Sequence, residues 1–179
     1  MLEEMRLFAR QSWIPVILDD SLEYIENMLS KKSVKSILEI GTAIGYSAIC
    51  FSKFLTNDGK IDTIEIDKQR IMLAKANIDM YKLNDKINVI EGDALKVLPK
   101  LNKKYDFIFL DPPYGKDMGI EAISLLDDIT DENSVIILET DSTDNVPDKI
   151  DMFYRYDTRK YGRVVISFFK KEGFLDGGS

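Results

Sequence analysis

The residues best suited to chemistry in this chain stand in one short run. Asp111-Pro112-Pro113-Tyr114 directly follows the apolar stretch Phe107-Ile108-Phe109-Leu110. An acid closes what reads as a buried strand, two prolines stiffen the exit, and an aromatic ring comes next. Proline fixes φ and carries no backbone donor, so Pro112 and Pro113 neither extend a ladder nor open a helix in the ordinary way. The carbonyls of this turn are left to accept hydrogen bonds from something else. A carboxylate, a free carbonyl and a stacking ring together suit a planar base with an exocyclic amino group. Taken alone, the same four residues also read as an acidic turn with a packed tyrosine.

A second run lies upstream, Leu38-Glu39-Ile40-Gly41-Thr42-Ala43-Ile44-Gly45-Tyr46-Ser47. Ser36 to Ile40 reads as a strand ending at Gly41, and the residues from Tyr46 to Leu55 as the helix after it. Glycines at 41 and 45 allow a tight turn and a close approach to a ligand, and the new helix presents unpaired N–H groups there. Such a terminus attracts the carboxylate of a bound ligand. The spacing is G-x-x-x-G rather than the G-x-G-x-x-G of dinucleotide binding. Ile61-Asp62-Thr63-Ile64-Glu65 then reads as a strand ending in an acid, about twenty residues past Gly45, where a ribose-binding carboxylate belongs in a nucleotide-type fold.

The elements that must hold these groups follow a regular order. Helices are expected over 3–11 and 22–30, with Trp13-Ile14-Pro15-Val16 as a breaker between them. Strand and helix then alternate: strands over 36–40, 61–66, 87–91, 105–110 and 134–139, and helices over 46–55, 68–82, 93–101 and 118–128. Apolar, β-branched or aromatic runs separated by helical patterns of 10–15 residues predict βαβ units and a parallel sheet. The alternation breaks near Asp141. Residues 152–156 and 164–169, with Tyr161-Gly162 between them, read as an antiparallel pair closing one edge. In an open parallel sheet ligands sit outside the carboxyl ends of the strands. Glu39 to Gly41, Glu65, Asp93 and Asp111 all fall at such ends. A single domain over 1–172 is expected, with residues 1–32 as a helical cap and 173–179 as a flexible tail.

Composition excludes several classes. With 179 residues, 45% hydrophobic and 31% charged, the chain reads as one ordinary globular domain. It contains no histidine, which removes Ser-His-Asp and Cys-His hydrolysis and His-ligated zinc. A net charge of −7 argues against tight binding to bare nucleic acid through phosphate contacts, though not against a shaped site on a folded RNA. The single cysteine, Cys50, lies in an apolar helix and fits buried packing in a reducing compartment. No apolar run approaches a membrane span, and the acidic start lacks a signal-peptide pattern, so a cytoplasmic location is expected. The basic groups at Lys31, Lys32 and Lys35, at Lys100, Lys103 and Lys104, and at Arg155, Arg159, Lys160 and Arg163 read as solvated faces.

Together these runs resemble the class I S-adenosylmethionine-dependent methyltransferases, over about residues 12 to 170. The resemblance is composite. From Ile14-Pro15 through the glycine turn to Glu65 it is closest to bacterial family-3 O-methyltransferases, including the tRNA 5-hydroxyuridine type. From about Tyr105 onward, Asp111-Pro112-Pro113-Tyr114, Leu138-Glu139 and Arg159-Lys160-Tyr161-Gly162 resemble the 16S rRNA guanine-N2 methyltransferases of RsmD type. This implies an α/β, Rossmann-like, seven-stranded, mostly parallel sheet with a C-terminal antiparallel strand pair and helices on both faces. It implies S-adenosylmethionine as cofactor. Gly41, Thr42, Gly45, Tyr46 and Ser47 would hold its methionine moiety, with Glu39 supporting the amino end. Glu65 would bind the ribose hydroxyls, Ile66 would lie against adenine, and Asp93-Ala94 would recognise the adenine amino group. Read on its own, Asp93 is equally a helix N-cap.

Asp111, Pro112 and Tyr114 would then be catalytic. The sulfonium methyl is already activated, so alignment of the attacking atom is the main requirement. Hydrogen bonds from a base amine to the Asp111 carboxylate and the Pro112 carbonyl favour the charge developing on nitrogen, and Tyr114 stacks on a flipped-out base. The resulting expectation is N-methylation of an exocyclic base amine in RNA, of rRNA or a small ribosomal subunit, with tRNA as another acceptor and no metal ligands assigned. The rival is metal-assisted O-methylation of tRNA hydroxyuridine or a small hydroxylated molecule, with Asp111 as one oxygen ligand. In place of that family's Asp-Asn pair the chain has Glu139-Thr140-Asp141, with Asp144-Asn145 a few residues later. A third reading is a cofactor-binding module without turnover. The basic amino-terminal hairpin of the rRNA type is replaced by the acidic region 1–20.

Overall fold

The computed structural model describes residues 2–112 and 117–173. Eight strands form one sheet in the order β3-β2-β1-β4-β5-β8-β7-β6. The first five are parallel: β1 (Val34–Ile40), β2 (Leu55–Glu65), β3 (Ile87–Glu91), β4 (Phe107–Leu110) and β5 (Val135–Asp141). An antiparallel edge follows, made of β6 (Lys149–Ile150), β7 (Phe153–Tyr161) and β8 (Val164–Lys171). The chain order reverses between β1 and β4, which pair directly with Ile40 opposite Leu110. That reversal is the switch point at which an open α/β sheet opens a crevice.

Successive side chains on a strand face opposite ways, so a sheet covered on both sides needs apolar residues at nearly every position. The central strands meet this need. Ile37, Phe107, Phe109 and Ile137 pack in one core, against α1 (Leu2–Gln11), α2 (Asp19–Leu29) and α3 (Tyr46–Phe51), and are joined there by Ile78 of α4 (Lys68–Met80). The alternate residues Leu38, Ile108, Leu110, Ile136 and Leu138 pack in the other core, against α5 (Ala94–Val97) and α6 (Met118–Ser124). Phe51 meets Phe109 edge-to-face with ring centroids 5.6 Å apart, a contact that holds α3 against the sheet.

The expected alternation of elements is present, and the differences lie at the element ends. The sheet has eight strands rather than seven, because the two-residue β6 adds to β7 beyond the expected pair. The helix expected over 46–55 stops at Phe51, continues as a 3₁₀ turn over Ser52–Phe54, and gives way to β2 at Leu55. The residues Thr56, Asn57, Asp58 and Gly59 are poor helix formers, which favours the early exit. The helix expected over 93–101 is one turn of α-helix followed by a 3₁₀ turn at Leu98–Lys100, where Pro99 lacks a backbone donor. β7 and β8 run longer than expected and turn at Gly162, whose φ of +61° suits a residue without a Cβ. Of the tail expected over 173–179, only Gly173 lies within the described residues. Among the described residues no helix is long and apolar enough to cross a membrane.

Candidate functional site

The carboxyl ends of β1 to β5 surround a cleft of about 400 Å³, within the range of roughly 300–1,000 Å³ usual for small-molecule sites. Its walls bring together Gly41, Glu65, Ile66, Asp93, Ala94, Asp111 and Pro112, seven of the residues singled out in the sequence. The remainder stand behind the wall: Glu39, Thr42, Tyr46 and Ser47 are buried, and Gly45 opens α3. Tyr114 lies outside the described residues.

The glycine turn is shaped by contact with β4. Gly41 has φ +102°, and a Cβ placed on it would stand 2.5 Å from the carbonyl oxygen of Asp111. The two strand ends at the switch point therefore touch backbone to backbone, and only glycine fits. Gly45, at φ +81°, packs on Ala74 of α4. Four amides of the turn are already in use. Gly41 and Thr42 donate to the Ile64 carbonyl at 3.0 and 3.2 Å, Ala43 to Glu65 Oε2 at 2.9 Å, and Gly45 to the Thr42 carbonyl at 2.8 Å.

Glu65 is more than an acid waiting for a ribose. Its Oε1 accepts the amides of Ile66 and Asp67, both at 2.9 Å, while Oε2 takes Ala43. One carboxylate thus ties the end of β2 to the glycine turn, with acceptor capacity to spare, since two carboxylate oxygens offer about four sites. Asp67 caps α4 by accepting from Gln69 and Arg70, and Asp93 caps α5 by accepting from Leu95 at 3.0 Å. Asp93 therefore serves as an N-cap and as cleft wall at once. Glu39 is fully buried and accepts from Ser47 Oγ and Thr63 Oγ1, which in turn meets Thr42 Oγ1 at 2.6 Å. Burial raises its pKa to about 7; the two hydroxyls offset part of that rise, and Glu65 adds to it.

Asp111 is the most perturbed acid of the cleft. Burial, and then the nearby Glu139 and Glu39, push its proton affinity well above that of an ordinary carboxyl, while Arg70 pulls the other way. The register explains the crowding. Leu110 stands opposite Leu138 and Ile40, so the next residues, Asp111 and Glu139, extend neighbouring strands into the same crevice. Two acids so close resist simultaneous ionisation.

The donor set for a hard divalent cation was tested against these residues. Such an ion takes several oxygen ligands. Among the described residues no group of three or more His, Cys, Asp or Glu side chains is arranged to hold a metal. Asp141 and Asp144, the sequence's substitutes for a further ligand, are engaged in the turn after β5. Asp141 Oδ1 accepts from the Thr143 amide and hydroxyl and its Oδ2 pairs with Arg163 at 3.0 Å, while Asp144 Oδ2 accepts the Asp141 amide at 3.0 Å. The residues described do not fit that ion.

Sequence reasoning missed Arg70, Pro15, Val16 and Met118, all of which line the cleft. Arg70 had a readable signal, since it sits in the first turn of the helix that follows Glu65. Pro15 and Val16 carried none, because the return of an amino-terminal segment over the sheet is a long-range event.

A doubly covered parallel sheet, a glycine turn at its switch point and acids at successive strand ends define a class I S-adenosylmethionine-dependent methyltransferase. Residues 1–117 match the family model described as O-methyltransferase, and the chain belongs to that family. A catechol O-methyltransferase of Niastella koreensis is 32% identical over 99 residues, covering 51% of this chain and 45% of that protein. The Bos taurus catechol O-methyltransferase is 24% identical over 174 residues, covering 93% of this chain and 63% of its own length. The chain thus spans about half to two thirds of these curated relatives. Among solved structures, an O-methyltransferase from Bacillus cereus in complex with SAH superposes with a TM-score of 0.77 at 21% identity, covering 95% of this chain and 90% of that one. At that identity the likeness establishes the fold.

Proposed function

We propose that this protein is an S-adenosylmethionine-dependent O-methyltransferase whose acceptor is a hydroxyl group of a small molecule. The observation that carries this reading is Asp111, a cleft carboxyl of raised proton affinity standing beside Glu139 and against the glycine turn. A general base works best when its pKa lies near the working pH. An ordinary aspartate is a weak base toward a hydroxyl, and burial, with Glu139 and Glu39 nearby, shifts Asp111 toward a stronger one. The names of the similar proteins, catechol and caffeoyl-CoA O-methyltransferases, support an oxygen acceptor on a small molecule.

When bound, the cofactor supplies an electrophilic methyl group on sulfur. Gly41 permits the close approach at the switch point, Glu65 and Asp93 offer acceptors at the ribose and adenine ends, and Ile66 gives an apolar surface. With the methyl group supplied from the bound cofactor, the Asp111 carboxylate would orient the acceptor hydroxyl and take up its proton. Pro112 stiffens the exit from β4, which limits the motion of Asp111 relative to Gly41. Exclusion of water by the buried floor of Glu39, Thr42 and Ser47 strengthens each of these interactions.

The expectation of an RNA base amine as acceptor loses ground here. The family match favours oxygen, and the catechol and caffeoyl-CoA O-methyltransferases among the similar proteins are named for small-molecule acceptors. Incubation with methyl-tritiated S-adenosylmethionine tests the two acceptors side by side. Labelled methyl ethers are expected from a catechol and from caffeoyl-CoA, with small-subunit RNA unlabelled and activity preserved in EDTA. Label in the RNA alone would replace this reading with amine methylation.

A further inference from the structure

The charged groups on the cleft wall are unbalanced. Glu65, Asp67, Asp93, Asp111 and Glu139 are acids, and among the described residues Arg70 is the one cation that lines it. The cofactor's amino-acid end carries an ammonium, which such a wall welcomes, and a carboxylate, which it repels. A buried carboxylate without donors is costly. The natural donors would be the amides of the glycine turn, but Gly41, Thr42, Ala43 and Gly45 already donate to Ile64, Glu65 and Thr42, which leaves Ile44 alone in the turn. The helix that follows, α3, has only 6 residues and adds little field of its own.

We propose that Arg70 is the anchor for the carboxylate at the methionine end of the cofactor. Arg70 projects from the first turn of α4, a 13-residue helix whose start is fixed by the Asp67 cap. None of the described residues forms a close ion pair with its side chain; its acidic neighbours Asp67 and Asp111 act on it from a distance. Its planar fork matches a carboxylate through two parallel hydrogen bonds, a geometry that a lysine ammonium does not reproduce. The inference rests on the cofactor assigned to this cleft and adds a residue that no family motif in the sequence marks.

The experiment is calorimetric and needs no turnover. S-adenosylhomocysteine and 5′-methylthioadenosine share the adenosine and the thioether, and only the first carries the carboxylate. Both are titrated into wild-type protein, Arg70→Gln and Arg70→Lys. Arg70→Gln is expected to weaken S-adenosylhomocysteine by about ten- to a hundredfold, the usual range for a charge-assisted hydrogen bond, with 5′-methylthioadenosine changed less than about twofold. Arg70→Lys is expected to fall between. Equal losses for both ligands, or no loss for either, would overturn the assignment while leaving the cofactor in place. Failure of the wild-type protein to bind S-adenosylhomocysteine would instead remove the cofactor reading, and this inference with it.

Discussion

Asp62 and Asp111 are carboxylates on opposite faces of one sheet, and their surroundings push them in opposite directions. Asp62 shares the face of Ile64 and Tyr105. It accepts from Tyr105 Oη at 2.7 Å, Asn88 Nδ2 at 2.8 Å and Lys103 Nζ at 2.6 Å. Burial alone would raise its pKa, but these donors outweigh burial and hold it below the usual aspartate value. Asp111 has no such donors among the described residues; it has burial and two acids, and its pKa rises. Both sites remove water from a carboxylate. The difference lies in what replaces the water. Three donors make Asp62 a permanent anion that ties β2, β3 and the entry to β4 together. Carboxylate neighbours make Asp111 a proton acceptor held ready beside a cleft.

The contrast is broken most severely by removing the proton acceptor. Asp111→Asn keeps the shape and abolishes the base, and methyl transfer is expected to fall by about 10²- to 10⁴-fold. Affinity for S-adenosylhomocysteine and the urea midpoint should stay close to wild type. A loss of stability as large as the loss of rate would show that Asp111 is structural. At the other pole the pattern inverts. Asp62→Ala strands the buried Tyr105 hydroxyl and the Asn88 amide without their acceptor, and a cost of about 1–3 kcal/mol is expected in urea unfolding, the half-exposed Lys103 returning to water. The rate per folded molecule should not change.

Gly41→Ala probes the contact between the two strand ends. The new Cβ meets the Asp111 carbonyl at 2.5 Å and must hold φ near +102°. A loss of roughly 1–3 kcal/mol in stability is expected, as for a bulky insertion into a packed site, with a parallel drop in cofactor affinity because the turn shifts. Unchanged affinity would separate the turn from the cofactor.

How much of this was readable beforehand follows the range of the forces. The parallel sheet was legible because Ile37-Leu38, Ile64, Val89-Ile90, Phe107 to Leu110 and Val135 to Leu138 each carry their own apolar run, and βαβ order follows from alternation alone. Glu65, Asp93 and Asp111 were legible because a strand end is a local event. Helix lengths were less so: Thr56 to Gly59 and Pro99 decide them by small propensity differences that tertiary pairing then settles. The short strand Lys149–Ile150 exists only because β7 is there to receive it. The use of the glycine-turn amides by Glu65, and the reach of Arg70 into the cleft, depend on where α4 lands against β2. Spacing puts Arg70 in the first turn after Glu65 but does not show which way that turn faces.

The smallest effect is expected at Glu39, where the comparison can be sharpened by pH. Its pKa is 4.5 when unperturbed and about 7 in the folded protein, raised by burial. A carboxyl with a raised folded pKa binds more protons in the native state than in the unfolded one between those two values. Stability from this group is therefore complete below about pH 4.5 and is lost as pH rises toward 7. Glu39→Gln imitates the protonated acid and can still meet Ser47 and Thr63, so at pH 5 it should change stability by less than about 1 kcal/mol. As pH rises from about 4.5 to 7 the variant should keep its stability while the wild type declines, with the two urea midpoints diverging over that window and keeping a constant gap above it. Asp62→Asn should show the opposite dependence in acid, because the wild-type anion's contribution is complete above the ordinary aspartate pKa and is lost as pH falls below it. Parallel pH curves for wild type and Glu39→Gln would mean that Glu39 keeps its charge in the fold, and that its two hydroxyl donors count for more than burial.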